Sequence, residues 1–441
     1  MKVAFATLGC RTNQHDTAEM QTLLEQEGFS IVDAREKADV YVVNTCSVTQ
    51  KSDYHSRLAV KKSLAINQNA LVVFTGCYAQ LAPREAGELE GLDIVLGNAN
   101  KLDIARVIKN KLIAPSPWRK TGPTQYHMSD IHQKRVFRTI PVSRFQGKTK
   151  AFIKVQTGCG EKCSFCTVVR ARGRSLSDSR ENILHNVKEA IAAGFKEITL
   201  TGINLGTYGM DKTLPETFSS LVRDIVRLKG DFRVRLSSIN PMEIDPVLIR
   251  LMAETENLCP HLHIPLQSGD AAILSRMRRN YNPRQYLDVA RNALDRIPRL
   301  GLGADVITGF PGETDAHFEN TRKIIEDLPF SYLHVFTYSP RKGTEAYEFK
   351  DNVHNKIKKE RNKILTQLAK QKSLEFRRRF LNQTLTVLFE NQRDTITGKL
   401  KGHTENYIPV QADGEDRFQN RLTPVTLVEV SEHQVSGCIP S

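Results

Sequence analysis

Residues 157–166 read TGCGEKCSFC and place three cysteines, Cys159, Cys163 and Cys166, in one short loop. The loop follows an apolar stretch, AFIKV, which is typical of a buried strand. Structural zinc usually has four ligands, and no fourth cysteine or histidine lies close by in this loop. Three thiolates can instead hold a [4Fe–4S] cluster and leave one iron open for chemistry.

Strand and helix patterns alternate over residues 149–372, a range that includes this loop. The predicted strands are AFIKVQTG, KEITLTG, FRVRLSS, HLHIPLQ, GADVITG and YLHVFTY. Six strand–helix units with parallel strands predict an incomplete (β/α)6 barrel. Active sites of such barrels lie on the loops that follow the strands, and the cysteine loop follows the first strand.

Three further cysteines lie in the first 114 residues, and each ends a short apolar run. Cys10 ends VAFATLGC, Cys46 ends VYVVNTC and Cys77 ends LVVFTGC. Strand and helix patterns alternate here too and predict an open parallel α/β sheet over residues 1–114. Because the carboxyl ends of parallel strands meet at one edge, we expect these cysteines to converge on a second site. The alternative is three small buried apolar side chains.

Charge and composition point to a polyanionic partner. The chain has 63 Lys and Arg against 49 Asp and Glu, a net charge of +14. This charge is typical of a protein that binds nucleic acid, or of an ordinary basic enzyme.

Residues 115–148, which contain prolines and the one Trp, predict a linker. Residues 350–379 predict a long basic helix, and short alternating strands over 376–441 predict a small β barrel. Such a module is either a nucleic-acid clamp or a capping domain without affinity.

The sequence pattern predicts neither a signal peptide nor a membrane span. The amino-terminal apolar stretch is too short for a signal peptide, and no run approaches the roughly 18 apolar residues of a membrane span. We therefore expect a cytoplasmic protein without a membrane partner, whose clustered cysteines are ligands or catalytic groups rather than disulfides. Cys259 and Cys438 belong to neither set, and we expect no ligand role for them.

The C-x3-C-x2-C loop is similar to the signature of radical S-adenosylmethionine (SAM) enzymes. With the stretches LGCRTNQ, NTCSVT and TGCYAQ and the small β module, essentially the whole chain resembles the methylthiotransferases. The resemblance implies SAM and two [4Fe–4S] clusters. It assigns one cluster to Cys159, Cys163 and Cys166, an auxiliary cluster to Cys10, Cys46 and Cys77, and a TRAM-like RNA-binding fold to residues 376–441. A zinc site or a redox sensor is the alternative for the compact loop.

The resemblance also implies contacts to SAM. Phe165 fits the aromatic residue that such enzymes place against the adenine. Loops after later strands would supply the other contacts, namely Gly202, Asn204, Ser237, Ser238, Gln267 and Asp305. Barrel packing or a turn is the alternative role for each of these residues. No catalytic residue beyond the cluster ligands is identified.

Within that family, the chain resembles most closely the class that modifies N6-threonylcarbamoyladenosine (t6A) of tRNA. The class-typical stretches are TGCYAQ, LTGINLGTYG, VRLSSINP, CPHLHIPLQSG and LPFSYLHVFTYSPR. The class that modifies a ribosomal protein carries an acidic residue in place of Asn204 and Asp in place of His263. The chain departs from the family pattern at Val169, where Pro is common, and in the stretch 341–344, which reads RKGT.

The implied reaction uses SAM twice. One molecule methylates a sulfur at the auxiliary cluster, and a second is cleaved to a 5′-deoxyadenosyl radical that activates C2 of adenine. The C2–H bond has no useful acidity, so acid–base catalysis cannot replace it with a methylthio group. The implied partners are tRNA, through t6A at position 37 of the anticodon loop, and an electron-donating reductase; we expect a monomer. The alternative substrates are isopentenyladenosine at the same position and an aspartate of a ribosomal protein. The alternative to an enzyme is an RNA-binding protein or redox sensor whose clusters are structural.

Overall fold

The computed structural model describes residues 1–112, 123–133, 136–142, 149–212, 216–432 and 434–440. These residues form two compact units. The first comprises Met1–Gln146, Lys154–Asp178 and Ser339–Thr344, and the second comprises Gly147–Ile153, Ser179–Tyr338 and Glu345–Ser441. The cysteine loop at 157–166 therefore groups with the amino-terminal residues, although its sequence pattern continues into the barrel strands.

A parallel sheet forms the centre of the first unit, in the order β2–β1–β3–β4–β5–β6. Its strands are β1 (Lys2–Thr7), β2 (Ser30–Val32), β3 (Val40–Thr45), β4 (Leu71–Gly76), β5 (Ile94–Leu96) and β6 (Gln125–His127). The central strands β3 and β4 are buried along their whole length, as expected for a parallel sheet covered on both faces. The predicted open parallel α/β sheet is confirmed.

Helices connect these strands and cover the sheet. They are α1 (Arg11–Gln26), α2 (Gln50–Ile66), α3 (Cys77–Leu81), α4 (Pro83–Gly87), α5 (Ile104–Leu112) and, from the segment that follows the cysteine loop, α6 (Val168–Arg172). Met20 and Leu24 of α1 pack with Val42 and Val73 on one face of the sheet. The aromatic ring of Phe74 packs on the other face.

The structure differs from the prediction of a linker at 115–148. Strand β6 lies inside that stretch and pairs with β5, from Ile94–Gln125 to Leu96–His127. Ile131 and Val142 are also buried. The backbone groups on the outer edge of β5 need partners, and these three residues supply them without any apolar pattern of their own. Residues 115–122, 134–135 and 143–148 of the predicted linker lie outside the described residues.

Two three-stranded parallel sheets, β11–β10–β7 and β12–β13–β14, form the centre of the second unit. Their strands are β7 (Lys150–Lys154), β10 (Glu197–Thr201), β11 (Arg233–Leu236), β12 (His261–His263), β13 (Gly301–Thr308) and β14 (Phe330–Thr337). A parallel bridge between Val234 and Leu258 joins the two sheets. The strands thus follow one another in chain order, and the predicted incomplete (β/α)6 barrel is confirmed. In the first unit, β8 (Gln156–Thr157) and β9 (Leu176–Ser177) form a short antiparallel pair at either end of the cysteine loop.

The barrel helices begin at side-chain caps. They are α7 (Arg180–Ala192), α8 (Phe218–Val226), α9 (Pro246–Glu254), α10 (Ala271–Arg276), α11 (Pro283–Arg296), α12 (Asp315–Asp327) and α13 (Asn355–Arg378). Ser179, Thr217 and Asp245, for example, each accept a hydrogen bond from a backbone N–H of the first helical turn. Among the described helices, none combines the length and the apolar character that crossing a membrane requires.

The chain ends in a closed five-stranded β barrel, as the short alternating strands predict. Its strands are β15 (Thr384–Phe389), β16 (Leu400–Thr404), β17 (Pro409–Ala412), β18 (Leu422–Val430) and β19 (Val435–Cys438), in the order β15–β16–β17–β19–β18. Phe376 and Phe380, at the end of α13, lie in its core. Arg233 donates to the Thr386 carbonyl at 3.0 Å, so the β barrel is attached near the amino ends of β10 and β11.

Candidate metal centres

The three scattered cysteines occupy equivalent places in the first unit, each directly after a parallel strand. Cys10 is the N-cap residue of α1, just beyond β1. Cys46 follows β3, and Cys77 is the first residue of α3, directly after β4. Because β1, β3 and β4 are neighbours in the sheet, the three cysteines meet at its carboxyl edge, as predicted.

Side-chain hydrogen bonds tie the three cysteine-bearing loops together. The amide nitrogen of Asn13 donates to the Leu8 carbonyl at 2.8 Å and to the Thr45 carbonyl at 2.9 Å, which joins the first two loops. The Thr45 hydroxyl donates to the Thr75 carbonyl at 2.6 Å, which joins the second loop to the third. These bonds hold the three cysteine-bearing loops at a fixed spacing.

The sulfur atoms of this set lie close enough to influence one another. The pKa of the Cys46 thiol is raised to about 11, mainly by burial and to a smaller extent by the neighbouring Cys77 and Cys10. Gly9 has φ +91°, and a Cβ atom there would lie 2.6 Å from Cβ and 2.8 Å from Sγ of Cys46. The close approach of the first two loops therefore requires glycine at this position.

The compact loop presents Cys159, Cys163 and Cys166 on a backbone shaped to receive them. The N–H of Glu161 points at Cys159 Sγ and that of Val168 at Cys166 Sγ, each at 3.4 Å. The Cys166 N–H donates to the Cys163 carbonyl at 3.1 Å. Hydrogen bonds of this kind to sulfur stabilise thiolate and help to set the reduction potential of an iron–sulfur cluster.

A buried charge network lies in the same unit, beneath the auxiliary cysteines. Asp16 of α1 accepts from Lys101 at 2.7 Å, from Lys154 at 2.9 Å and from Arg172 at 3.0 Å. Lys154 also lies 2.6 Å from Glu19. All five side chains are at most 8% exposed. The network lines one side of a cavity of about 350 Å³.

Electrostatics keep the two carboxylates of this network charged. Burial alone would raise the pKa of Glu19, but the ammonium group of Lys154 and the His15 side chain together outweigh it and lower that pKa to about 2. Burial likewise opposes ionisation of Asp16, whose pKa Lys101, Lys154 and Arg172 hold well below its usual range. The network is therefore ionic at neutral pH.

Most of the residues predicted to bind SAM lie after strands of the second unit. Gly202 and Asn204 follow β10, Ser237 and Ser238 follow β11, and Gln267 follows β12 with a positive φ of 61°. The carbonyl oxygen of the Asn204 side chain accepts from Asn240 at 2.9 Å. These positions match the predicted strand-end loops, and their contact with SAM stays a prediction. Phe165 lies in the cysteine loop of the first unit.

Asp305 differs from its predicted position, because it lies within β13 and not in the loop that follows. Its carboxylate lies 3.2 Å from Nε2 of His263 and 3.1 Å from Nδ1 of His334. Burial opposes ionisation of Asp305, and the two histidines nevertheless lower its pKa well below the usual range. Ser238 is hydrogen-bonded to Nδ1 of His263, so the chain of contacts extends to a predicted SAM residue.

Comparison of the sequence with known proteins identifies the family of this chain. Residues 2–97 match the uncharacterized protein family UPF0004, and residues 153–325 match the radical SAM superfamily. The chain is 36% identical over 414 residues to the threonylcarbamoyladenosine tRNA methylthiotransferase MtaB of Aquifex aeolicus, with 94% of this chain and 97% of that protein covered. The chain belongs to the radical SAM methylthiotransferases.

This methylthiotransferase is also similar to a second kind of tRNA-modifying enzyme in sequence and to a radical SAM methyltransferase in fold. It is 30% identical over 437 residues to the tRNA-2-methylthio-N(6)-dimethylallyladenosine synthase of Clostridium botulinum, covering 98% of this chain and 95% of that protein. Its fold is similar to that of the radical SAM methyltransferase TsrM of Kitasatospora setae, with a TM-score of 0.55, 15% identity, and 78% and 77% of the two chains covered.

The family uses SAM and [4Fe–4S] clusters, and the residues of this methylthiotransferase fit them. All eight cysteines are described, and none forms a disulfide. Each set supplies three thiols, as a cluster with one open iron requires. In the compact loop, two backbone N–H groups already face sulfur atoms. The buried cations near Cys77 suit an anionic cluster in the auxiliary set.

Sequence reasoning missed two groups of residues in this methylthiotransferase. One is the charge network around Asp16, and the only signal was a run of polar residues on the buried face of α1. The other is His334, which carries the chain of contacts from Asp305 toward solvent and lies inside one of the class-typical stretches.

Proposed function

We propose that this methylthiotransferase converts t6A at position 37 of tRNA into 2-methylthio-t6A, replacing the hydrogen on C2 of adenine by SCH3. The observation that carries the proposal is the presence of two three-cysteine sets in one compact unit, in a chain 36% identical to MtaB. When bound, the clusters and SAM supply a 5′-deoxyadenosyl radical and a sulfur that can be methylated.

The chain's own residues hold and orient these groups. Cys159, Cys163 and Cys166 would bind the cluster that SAM approaches. Cys10, Cys46 and Cys77 would bind the auxiliary cluster, in loops that Asn13 and Thr45 fix to one another. We assign the SAM contacts to Phe165, Gly202, Asn204, Ser237, Ser238, Gln267 and Asp305.

The carboxyl-terminal part of the second unit would bind the tRNA. Helix α13 exposes lysines along its length, among them Lys356, Lys359 and Lys363. Phe376 of this helix and Phe380, just beyond its end, pack in the core of the closed β barrel, so the helix is anchored to the barrel. Basic side chains on such a surface contact phosphates, and a single-stranded loop lets the modified base leave the stack without melting a duplex.

Cysteine variants test which cysteine set is needed for SAM cleavage and which is needed only for methylthio transfer. The chain is reconstituted anaerobically with iron and sulfide, reduced, and given SAM and t6A-containing tRNA from a strain without the enzyme. Wild type should hold about eight irons and form both 5′-deoxyadenosine and 2-methylthio-t6A. Cys163→Ala should lose both products, whereas Cys46→Ala should lose about half of the iron and the modified nucleoside but keep 5′-deoxyadenosine.

Cys438→Ala is the matched control, because Cys438 is exposed at the end of β19. It should behave as wild type in all three measurements. Formation of 2-methylthio-t6A by Cys46→Ala at the wild-type rate would contradict the proposal.

The substrate class is tested separately with tRNA carrying t6A and tRNA carrying isopentenyladenosine. The named relatives include both kinds of enzyme, at 36% and 30% identity. We expect the methylthio mass increment on t6A alone. An increment on isopentenyladenosine alone, or on an aspartate of a ribosomal protein, would replace t6A as the substrate and leave the methylthiotransferase chemistry in place.

Reductive cleavage of SAM consumes an electron, so the proposal includes an electron-donating reductase. It also includes a monomeric enzyme that acts on tRNA in the cytoplasm. Light scattering during gel filtration tests the monomer, and reconstitution with purified flavodoxin-type donors in place of dithionite tests the reductase.

A further inference from the structure

Arg172 lies between the two cysteine sets of the first unit. It is the last residue of α6, which begins two residues after Cys166. Its guanidinium donates to the Asn13 side chain at 2.5 Å and to Asp16 at 3.0 Å. On the other side, the carbonyl of the next residue, Gly173, accepts from the N–H of Cys159 at 3.0 Å.

Through these contacts Arg172 reaches every loop of the auxiliary set. Asn13, its direct partner, holds the loops that lead to Cys10 and Cys46. The third loop is reached through Asn98, whose side-chain amide donates to the carbonyl of Ala171, the residue before Arg172, at 2.7 Å and to Cys77 Sγ at 3.9 Å. Burial opposes the charge of the guanidinium, but Asp16, Cys77 and Cys10 outweigh it and raise the pKa of Arg172. A buried cation linked to all three loops is placed to act on the cluster and not only on the fold.

The charges of the network support this role. In the part of the chain that the structure describes, two carboxylates, Asp16 and Glu19, face three cations in this network, Lys101, Lys154 and Arg172. A buried cation is stable only when a negative group compensates for its lost hydration. A [4Fe–4S] cluster on three thiolates is a net anion, and it gains a further negative charge when it is reduced.

We propose that Arg172 is a positioning residue for the auxiliary cluster, whose positive charge compensates that of the cluster and raises its reduction potential. This inference rests on the assignment of the auxiliary cluster to Cys10, Cys46 and Cys77. It extends the proposed function, because the same side chain also donates to the Thr157 hydroxyl at 3.4 Å, at the start of the loop that carries Cys159, Cys163 and Cys166. Net charge and hydrogen bonds to sulfur are the main means by which proteins tune such potentials.

The test measures the midpoint potential of the auxiliary cluster alone. In the full-length Cys163→Ala chain, reconstituted with iron and sulfide, the remaining cluster is titrated with reductant and followed by electron paramagnetic resonance. Adding Arg172→Gln should lower the midpoint potential, because the reduced, more negative cluster loses its cation. Adding Arg172→Lys should leave it close to the reference, because the charge is kept.

Arg170→Gln is the matched control. Arg170 lies in the same short helix but is exposed, and its guanidinium donates to the backbone carbonyl of Lys342. It should not change the midpoint potential. Equal potentials in the reference, Arg172→Gln and Arg170→Gln chains would overturn the proposal.

Two further measurements cover the case in which Arg172→Gln loses the auxiliary iron. Arg172→Lys then decides: the proposal requires it to keep both the iron and the potential, and a clearly lowered potential would overturn it. The double variant Asp16→Asn with Arg172→Gln restores the charge balance, so its potential should return toward the reference; a purely structural arginine would give no such return. None of these readouts depends on the nucleoside substrate, so failure of the t6A assignment would leave them unchanged.

Discussion

Arg235 donates two parallel hydrogen bonds to the Glu197 carboxylate, from Nε to Oε1 and from Nη2 to Oε2, each 2.9 Å long. Both side chains are fully buried; Glu197 is the first residue of β10, and Arg235 lies within β11. Arg233 lies against the same carboxylate, at 2.7 Å. Both arginines also donate to backbone carbonyls of the β barrel, so this one carboxylate organises the attachment of the barrel.

We expect Glu197→Gln to lower the free energy of unfolding of the second unit by about 3–5 kcal/mol, because it leaves two buried guanidinium groups without their carboxylate. Urea unfolding followed by circular dichroism measures the loss. Asp231→Asn is the control, since Asp231 pairs with Lys196 at the surface and is 72% exposed. The control should cost less than about 1 kcal/mol. A similar cost for both variants would show that the buried carboxylate is replaceable.

Gly9→Ala should remove the auxiliary cluster selectively. Its Cβ would lie 2.6 Å from that of Cys46, and its φ of +91° disfavours any side chain. Gly28→Ala is the control, because Gly28 has φ +84° but no atom within 4 Å of an added Cβ. We expect Gly9→Ala to lose about half of the iron and Gly28→Ala to keep it, as measured by iron analysis. Equal iron in both variants would mean that the contact with Cys46 is unimportant.

Acid should destabilise the first unit over a defined pH range. The pKa of Glu19 falls from 4.5 to about 2 on folding, so its contribution is complete above pH 4.5 and is lost as the pH falls toward 2. The contribution is on the order of 3 kcal/mol. Urea unfolding of the cluster-free chain between pH 6 and pH 3 should show this loss.

Variants assign that loss to Glu19. Glu19→Gln should flatten the pH dependence, whereas Glu25→Gln, at an exposed position of the same helix, should retain it. If the stability of the Glu19→Gln chain depended on pH as that of the wild type does, another group such as Asp16 would be the cause of the loss in acid.

The lysines of α13 should govern the salt dependence of tRNA binding. Each phosphate contact contributes roughly 0.7–0.9 to the slope of log K against log salt concentration. The double variant Lys356→Gln with Lys359→Gln should reduce that slope, as measured by fluorescence anisotropy with labelled tRNA. Lys61→Gln with Lys62→Gln, two exposed lysines of α2, should not. Equal slopes in both double variants would exclude α13 from the tRNA surface.

The regular parts of this fold could be predicted because they repeat local patterns. Strand β3, for example, begins with the apolar run VYVV and is buried along its whole length, since a parallel sheet buries both faces of its strands. The position of Cys46 directly after that strand was therefore predictable. By contrast, the QYH of β6 has no apolar pattern, because its place depends on backbone pairing with β5.

The charge network could not be predicted, because its members are distant in the sequence. Asp16 meets Lys101, Lys154 and Arg172 only in the folded unit. In the sequence, Lys154 reads as a polar residue within a strand. Asp305 was grouped with the strand-end loops, although the predicted strand GADVITG contains it, and pairing with β14 continues through it and on to Thr308. Long-range pairing and ionic contacts leave little trace in local periodicity.

The two cysteine sets impose different conditions on biogenesis. Cys159, Cys163 and Cys166 lie within ten residues, so a nascent or unfolded chain already carries that site. Cys10, Cys46 and Cys77 come from three strands, and their site exists only once the sheet has formed. Metal binding at such a site contributes directly to folding stability. Under the proposed ligand assignment, the auxiliary cluster therefore binds only after the amino-terminal sheet has folded, whereas the ligands of the other cluster are already close together in the unfolded chain.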